Sequence, residues 1–336
     1  MAIIKIKELR KTYLTHERGS SFRDSLKSLV KRKMIKVEAL KGISFNVEEG
    51  EMLGLLGPNG AGKSTTLKIL TGVLYPTSGE AEIMGYVPWL KRKQYVAGIG
   101  AVFGQKSQLI WDIPPLDSFE MNRVIYDIPA ALYKERLNRM AELLEVGGHI
   151  KKPTRQLSLG ERMKCEFIMA MLHDPKIVFL DEPTIGLDVI AKERIREFIL
   201  EMNRKGTTFI LTTHDLDDVE KMARRVIVVN NGEIAYDDSM DALCNFFGNR
   251  KLVSLATQRP LPDFGGMPGV YVRASVTAYN AELELDTDKL ELNQFIKFMN
   301  DDYIISDLTM RPPQIESVIK ELYVTANKNT IQKGGL

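Results

Sequence analysis

The sequence predicts an α/β fold built on a largely parallel sheet covered by helices, followed by a smaller α+β domain. Three observations carry this. Gly57-Pro58-Asn59-Gly60-Ala61-Gly62-Lys63-Ser64-Thr65 is a glycine-rich run between the apolar residues Met52, Leu53, Leu55 and Leu56 and a helical pattern from Thr66 to Leu70, a strand-loop-helix context. From Lys176 to Val229 strand-like and helix-like segments alternate, as they do over a parallel sheet. Beyond about Gly248 the texture changes to short strands mixed with helical stretches.

In chain order, Ile3, Lys5, Lys7 and Leu9 alternate with Ile4, Ile6 and Glu8, a mixed strand signal leading to Tyr13. A basic stretch at about 16–36 interrupts the pattern. Strand character returns at Ile43 to Val47, and Glu48-Glu49-Gly50 supplies a polar turn before the strand that feeds the glycine-rich run. Gly72 can stop the following helix. Pro76-Thr77-Ser78-Gly79 reads as a turn, with strands at Glu80 to Met84 and Gly98 to Phe103 and Gln105 just past the second. Helical periodicity at Leu132 to Leu144 and Met163 to Leu172 marks an inserted helical lobe over about 106–172. Then come strand Lys176 to Asp181, helix Val189 to Asn203, strand Thr207 to Thr213, helix Leu216 to Ala223 and strand Val226 to Val229. Asn230-Asn231-Gly232 reads as a hairpin turn into Glu233 to Tyr236.

The last part holds strand-like runs at Leu252 to Ala256, Val270 to Val276, Ala281 to Leu285 and Tyr303 to Leu308, with helices at Leu292 to Met299 and Ile315 to Thr325. The expected division is 1–248, 249–328 and a frayed tail at 329–336. A chain of 336 residues with 44% apolar residues can bury the cores of two domains. The balance of 46 basic against 44 acidic residues argues against a nucleic-acid partner. No apolar run has the length of a membrane span and the start lacks the apolar core of a signal peptide, so cytoplasmic residence is expected. Cys165 and Cys244 stand far apart without metal-ligand spacing and read as packing residues.

The chemistry begins at the glycine-rich run. Glycines let the backbone turn its N–H groups inward around a polyphosphate, and the dipole of the following helix adds partial positive charge. Lys63 would reach the β- and γ-phosphates, and Ser64 would offer its hydroxyl to Mg²⁺; the alternative is a glycine-rich turn without a ligand. The strand Ile177-Val178-Phe179-Leu180-Asp181-Glu182 ends in two carboxylates, Asp181 suited to Mg²⁺ and Glu182 to taking a proton from an attacking water. His214 ends the next strand, at the edge where open α/β sheets bind ligands, while Asp215 after it reads equally as a helix cap. Ser158 and Glu161 have capping-box spacing, yet a helix N-terminus with a free hydroxyl and a nearby glycine is also an anion site.

Taken together and in order, these pieces resemble the ATP-binding-cassette (ABC) ATPases, a class of P-loop NTPase, over about residues 1–240. The matching segments are the phosphate loop Gly57 to Thr65, Gln105, the signature Leu157-Ser158-Leu159-Gly160-Glu161, the strand Ile177 to Glu182, Ile185-Gly186-Leu187-Asp188, and His214. The resemblance implies ATP and Mg²⁺ as ligands, with Tyr13 stacking on adenine, Gln105 linking Mg²⁺ to the helical lobe, Glu182 polarising water and His214 contacting the γ-phosphate. It further implies a second cassette, in a homodimer or paralogous heterodimer, with Ser158 and Gly160 of one chain closing over ATP on the other and Asp188 bridging between them. The alternative for Tyr13 is a core or strand-end residue. Leu159 and Glu161 depart from the common Leu-Ser-Gly-Gly-Gln: leucine forbids conformations open to glycine, and a glutamate near phosphate is unfavourable unless turned away.

Three runs narrow the resemblance to ATPases of bacterial ABC-2 type exporters: Gly104 to Leu109, Gln156 to Met163, and Asp181 to Val189. This subgroup implies separate integral-membrane permease subunits, export of a drug-like, lipid or glycan substrate, and a peripheral position at the cytoplasmic face of the bacterial membrane. The C-terminal α+β domain would be regulatory or dimer-stabilising. A soluble ABC ATPase acting on ribosomes or DNA, and a regulatory nucleotide switch, are the alternatives. Within the basic stretch, Phe22, Leu26, Leu29 and Val30 share a helical face beside Arg23, Lys27 and Lys31. A basic amphipathic helix against membrane or permease is therefore expected over Ser21 to Lys33, the alternatives being a solvated loop or a helix packed on the cassette.

Overall fold

The computed structural model describes residues 1–16, 34–104, 106–213, 215–244 and 250–311. Gln105, His214, the helices expected over Ser21 to Lys33 and Ile315 to Thr325, and the tail at 329–336 lie outside the described residues. The chain divides into two compact units, Met1–Asp238 and Ser239–Leu336.

In the first unit, β1 (Ala2–His16) and β2 (Met34–Glu48) form an antiparallel ribbon that pairs Ile4 with Val47 near the core and His16 with Met34 at its far end. The sequence signal covered less of this ribbon than exists. Lys36, Glu38 and Lys41 break the apolar alternation of β2, but cross-strand hydrogen bonds hold them extended regardless of side chain. Gly50, at φ 73°, then turns the chain into β3 (Met52–Leu56), whose five residues are all buried. After the glycine-rich run come α1 (Lys63–Leu70), stopped by Gly72 at φ 69°, and β4 (Ser78–Ile83), which pairs with the other edge of β1.

A short helix α2 (Arg92–Val96) leads to β5 (Ile99–Phe103). The helical lobe follows as α3 (Pro115–Ile125), α4 (Ala130–Leu143) and α5 (Leu159–Met171). Pro115 stands at the first position of α3, where a missing N–H costs nothing. The chain then runs β6 (Ile177–Asp181), α6 (Val189–Arg204), β7 (Thr208–Thr212), α7 (Leu216–Met222), β8 (Arg225–Asn230) and β9 (Glu233–Ser239). Asn231 and Gly232, at φ 49° and 81°, make the two-residue turn between the last two strands.

Six strands form one sheet in the order β5-β6-β7-β3-β8-β9, parallel from β5 through β8. Its central strands β3 and β7 are buried along their whole length. Ile177, Phe179, Ile210 and Ile227 of this sheet share one core with Ile4, Leu40, Ile43 and Ala81 of the three-stranded sheet and with Leu67 and Leu70 of α1. The glycine-rich run and the strand ending in Asp181 are thus anchored to the same packed mass.

The second unit begins with α8 (Met240–Cys244) and contains β10 (Arg250–Thr257), β11 (Val270–Thr277), β12 (Asn280–Asp286), α9 (Leu292–Tyr303) and β13 (Ile305–Arg311). Its antiparallel sheet has the order β11-β12-β10-β13 and packs Val253, Leu255, Leu283 and Leu285 against Phe295 and Met299 of α9. Tyr303 belongs to the helix, not to the strand expected from it. Tyr303 packs its ring near Phe298, and Ile304, at φ 58°, breaks the helix before β13 starts.

Candidate functional site

The glycine-rich run closes over a cavity of about 740 Å³ lined by Pro58 through Thr65 and by Lys68, Val73, Phe103, Gly104, Lys106, Asp181, Glu182 and Ile185. Close packing explains two of the glycines. A Cβ on Gly57 would lie 2.3 Å from the Val229 carbonyl oxygen, and one on Gly62 would lie 2.7 Å from that of Ala39, with φ at 155° and 116°. No side chain fits at either position, so the loop packs there through backbone alone. α1 begins at Lys63, with Gly62 as its cap, so the loop runs directly into a helix N-terminus.

Lys63 is buried and donates to the carbonyls of Gly57 at 2.6 Å and Pro58 at 3.2 Å. Burial pushes its ammonium below the ordinary lysine range, against the pull of Glu182 and Asp181. Ser64 Oγ donates to Asp181 Oδ1 at 3.2 Å, and Thr212 Oγ1 donates to the same oxygen at 2.6 Å. Thr212 is the last residue of β7 and lies in register with both Leu55 and Asp181, so it spans the gap between the loop-bearing strand and the carboxylate-bearing one. The sequence offered only one cue to it, a hydroxyl in an otherwise apolar strand end.

Past Asp181 the backbone reverses. Glu182 N donates to Thr212 O at 2.9 Å, and Glu182 itself takes φ 53°, a left-handed conformation rare for a residue with a side chain. Gly104 permits this, since a Cβ there would lie 2.2 Å from the Glu182 carbonyl oxygen. The following turn is fastened from below. Thr184 Oγ1 donates to Asp218 Oδ2, and Arg196 donates from Nε to Asp218 Oδ1 at 2.6 Å and forms an ion pair with it. These three buried residues tie the 182–188 turn, α6 and α7 together.

Asp188 caps α6, its Oδ1 accepting from Ala191 N at 2.8 Å. Ser158 caps α5 in a complete capping box: Glu161 N donates to Ser158 Oγ at 3.2 Å, and Ser158 N donates to Glu161 Oε2 at 2.8 Å. Glu161 also lies 2.9 Å from His149 Nδ1. The Ser158 hydrogen bonds, with the charges of His149 and Lys152, hold its carboxyl below the usual carboxylate range. Glu161 is thus turned back upon the helix start. Leu159 occupies the first helical position, where no left-handed conformation is needed, while Gly160 lets α5 approach α6 closely, a Cβ there lying 3.0 Å from that of Ala191.

Lys63, Ser64, Asp181 and Glu182 therefore meet at one cavity, whereas Tyr13, Ser158, Gly160 and Asp188 are not among its lining residues. Tyr13 is an exposed residue of the ribbon, opposite Val37, with the Lys11 ammonium 5.3 Å from its ring centre. Cys165 is buried and free, and burial pushes its thiol up to about 12. No helix among the described residues is long and apolar enough to cross a membrane.

The fold and the cavity define a nucleotide-binding α/β cassette of the phosphate-loop kind. The family model described as ABC transporter matches residues 40–185. An uncharacterised ABC transporter ATP-binding protein of Nostoc is 34% identical, over 62% of this chain and 62% of its own length. The energy-coupling factor transporter ATP-binding protein EcfA of Methanocaldococcus jannaschii is 34% identical over 58% of this chain and 71% of its own. For the linearmycin resistance ATP-binding protein LnrL of Bacillus subtilis the figures are 31%, 67% and 72%. A solved ATP-binding cassette, described as a dimer in a post-hydrolysis state with ADP and Pi, superposes with TM-score 0.59 at 26% identity over 70% of this chain and 98% of its own. The chain belongs to the ABC transporter family, as an ATP-binding, ATP-hydrolysing subunit.

Proposed function

We propose that this chain is the ATPase subunit of a bacterial ABC-2 type exporter, acting as a pair of cassettes beneath separate membrane permeases at the cytoplasmic face. The observation that carries its catalytic half is the meeting of Lys63, Ser64, Asp181 and Glu182 at one cavity. Backbone N–H groups of Gly60 to Thr65 and the Lys63 ammonium bind the β- and γ-phosphates of ATP, a charge-assisted contact. The donor set fits Mg²⁺: a hydroxyl and a carboxylate 3.2 Å apart supply two oxygens, and that ion takes its remaining ligands from phosphate and water. Ser64 and Asp181 would hold it, together with Gln105. When bound, the ion offsets charge on the phosphates.

Glu182 then orients the attacking water and accepts its proton, while His214 contacts the γ-phosphate. Tyr13 stacks on the adenine, and Ser158, Gly160 and Asp188 serve a nucleotide held by the second cassette. Loss of the γ-phosphate removes contacts that hold the pair shut, which moves the helical lobe.

The transport half is supported by the three motif runs and by the surface of that lobe. Met121, Val124 and Ile125 are exposed at helical spacing on α3, the last two at 61% and 70%, and Ile110 and Trp111 are exposed nearby in sequence. Apolar side chains left outward in this pattern suit a partner. The test is co-expression of the tagged chain with a six-span permease encoded beside it, followed by purification from membranes. The permease should co-purify, and Val124→Asp with Ile125→Asp should abolish this while leaving ATPase activity of the isolated subunit unchanged. Recovery of the chain with no membrane protein, or with an importer's substrate-binding component, would reject the exporter assignment.

A further inference from the structure

The run Lys106-Ser107-Gln108-Leu109 leaves the rim of the cavity, yet only Lys106 of it lines the site. The others converge on one carboxylate. Glu166, midway along α5 and 3% exposed, accepts hydrogen bonds from Ser107 Oγ, from Gln108 N at 3.0 Å and from Leu109 N at 3.4 Å. Burial pushes this carboxyl above the usual carboxylate range, while those donors and Arg162 pull it back. A buried charge is a poor source of stability, and an apolar side chain would pack a helix on a loop at lower cost. What directional hydrogen bonds add, and packing does not, is a fixed position.

The loop is pinned at its other end as well. Gly104 N donates to Asp181 O at 2.8 Å, Lys106 N to Phe103 O at 3.0 Å, and Gln108 Nε2 to Ala101 O at 2.6 Å. α5 in turn starts at the capped Ser158. An unbroken series of hydrogen bonds and helix therefore runs from the Asp181 strand end to the signature serine. We infer that Glu166 is a positioning residue that clasps the 106–109 loop to α5, so that a shift at the Asp181 side of the nucleotide site is passed to Ser158 and Gly160. This rests on the proposed function, in which nucleotide sits at Asp181 and Ser158 serves a second cassette.

The test uses amide hydrogen exchange and steady-state hydrolysis of the full chain, with Mg²⁺ and ATP as the probe. In the parent, ATP should slow exchange both across 57–65 and in the first turn of α5. Glu166→Ala should keep the first protection and lose the second, with kcat down about tenfold and KM for ATP within about twofold, the pattern of an interaction outside ground-state binding. Glu166→Gln, whose carbonyl oxygen at the Oε1 position can still accept from Ser107 Oγ and from both amides, should recover kcat to within about threefold. A folded Glu166→Ala chain with parental protection at both segments and parental kcat would overturn the inference, as would KM rising in step with lost stability. If Glu166→Ala does not fold, Ser107→Ala decides by the same readouts, since it removes a single hydroxyl, shared between Glu166 and the Leu109 carbonyl, and leaves the two backbone donors to Glu166 in place. Absence of protection at 57–65 in the parent would instead overturn the nucleotide-site assignment, and this inference with it.

Discussion

Glu182 shows how one residue's chemistry depends on its neighbours' backbone. A left-handed conformation outside glycine costs on the order of 1–3 kcal/mol, and surrounding structure must hold it in place. Here the Glu182 N–H is bound to Thr212, its carbonyl is packed against Gly104, and the turn after it is fastened through Thr184 to Asp218. The residue thereby lines the cavity together with Lys63 and Asp181. Glu182→Gln preserves shape but removes the proton acceptor, so hydrolysis should fall about 10²-fold or more, the usual scale for a positioned base. ATP binding should persist and an ATP-bound pair accumulate, read by phosphate release and size-exclusion chromatography. Phosphate release near the parental rate would remove Glu182 from the base role. Residues of this kind were legible in the sequence because a glycine-rich loop and a strand ending in two carboxylates are local patterns. Thr212, Glu166 and Asp218 were not, since each acts through a partner tens of residues away: Asp181, Ser107 and Thr184.

Among elements, those stabilised by their own residues were the readable ones. β3, β6 and β7 are short strands with apolar centres, and α5 begins at a capping box whose Ser158 and Glu161 stand three apart in sequence. The distal half of the β1–β2 ribbon gave no such signal, because pairing between strands rather than alternation within either one makes it. The short α2 was missed for a related reason: it is fixed by contacts to distant backbone, the fully buried Tyr95 donating to the Leu70 carbonyl and Arg92 to that of Gly72. The cluster beneath the 182–188 turn gives a prediction at this scale. Asp218 is fully buried and is bound by Thr184 and Arg196, so Asp218→Ala leaves the buried guanidinium with only the longer 3.4 Å contact to the half-exposed Glu193. A loss of about 3–5 kcal/mol is expected from breaking such a pair on one side. Chemical denaturation of the full chain would measure it, in the transition of the first unit; a loss below about 1 kcal/mol would mean that water reaches Arg196 and replaces the carboxylate.

For the whole molecule, the incompleteness of one chain's site is what matters. Lys63 and Glu182 line the cavity, whereas Ser158 and Asp188 are exposed at helix starts and line none of it. Each of those helix starts is already satisfied internally, Ser158 by Glu161 and Asp188 by Ala191, so both caps are rigid before any partner arrives. A rigid N-terminus with its remaining N–H groups outward is suited to meet phosphate on another molecule at little entropic cost. In the proposed pair, each nucleotide is therefore held by the loop of one chain and the α5 start of the other, and two sites form at once. Mutations on the two halves should then complement. Ser158→Arg places a bulky cation at the helix start, and Lys63→Ala removes the phosphate contact. Either chain alone should hydrolyse ATP at less than about a hundredth of the parental rate, because each of its paired sites carries a defect. A mixed pair has one site with both defects and one with neither, so an equal mixture should regain roughly a quarter of parental activity if pairs form at random and the sites act independently. The measurement is phosphate release from mixtures in which heterodimers are quantified with two different affinity tags. A mixture as inactive as its parents, with heterodimers present, would show that each chain completes its own site.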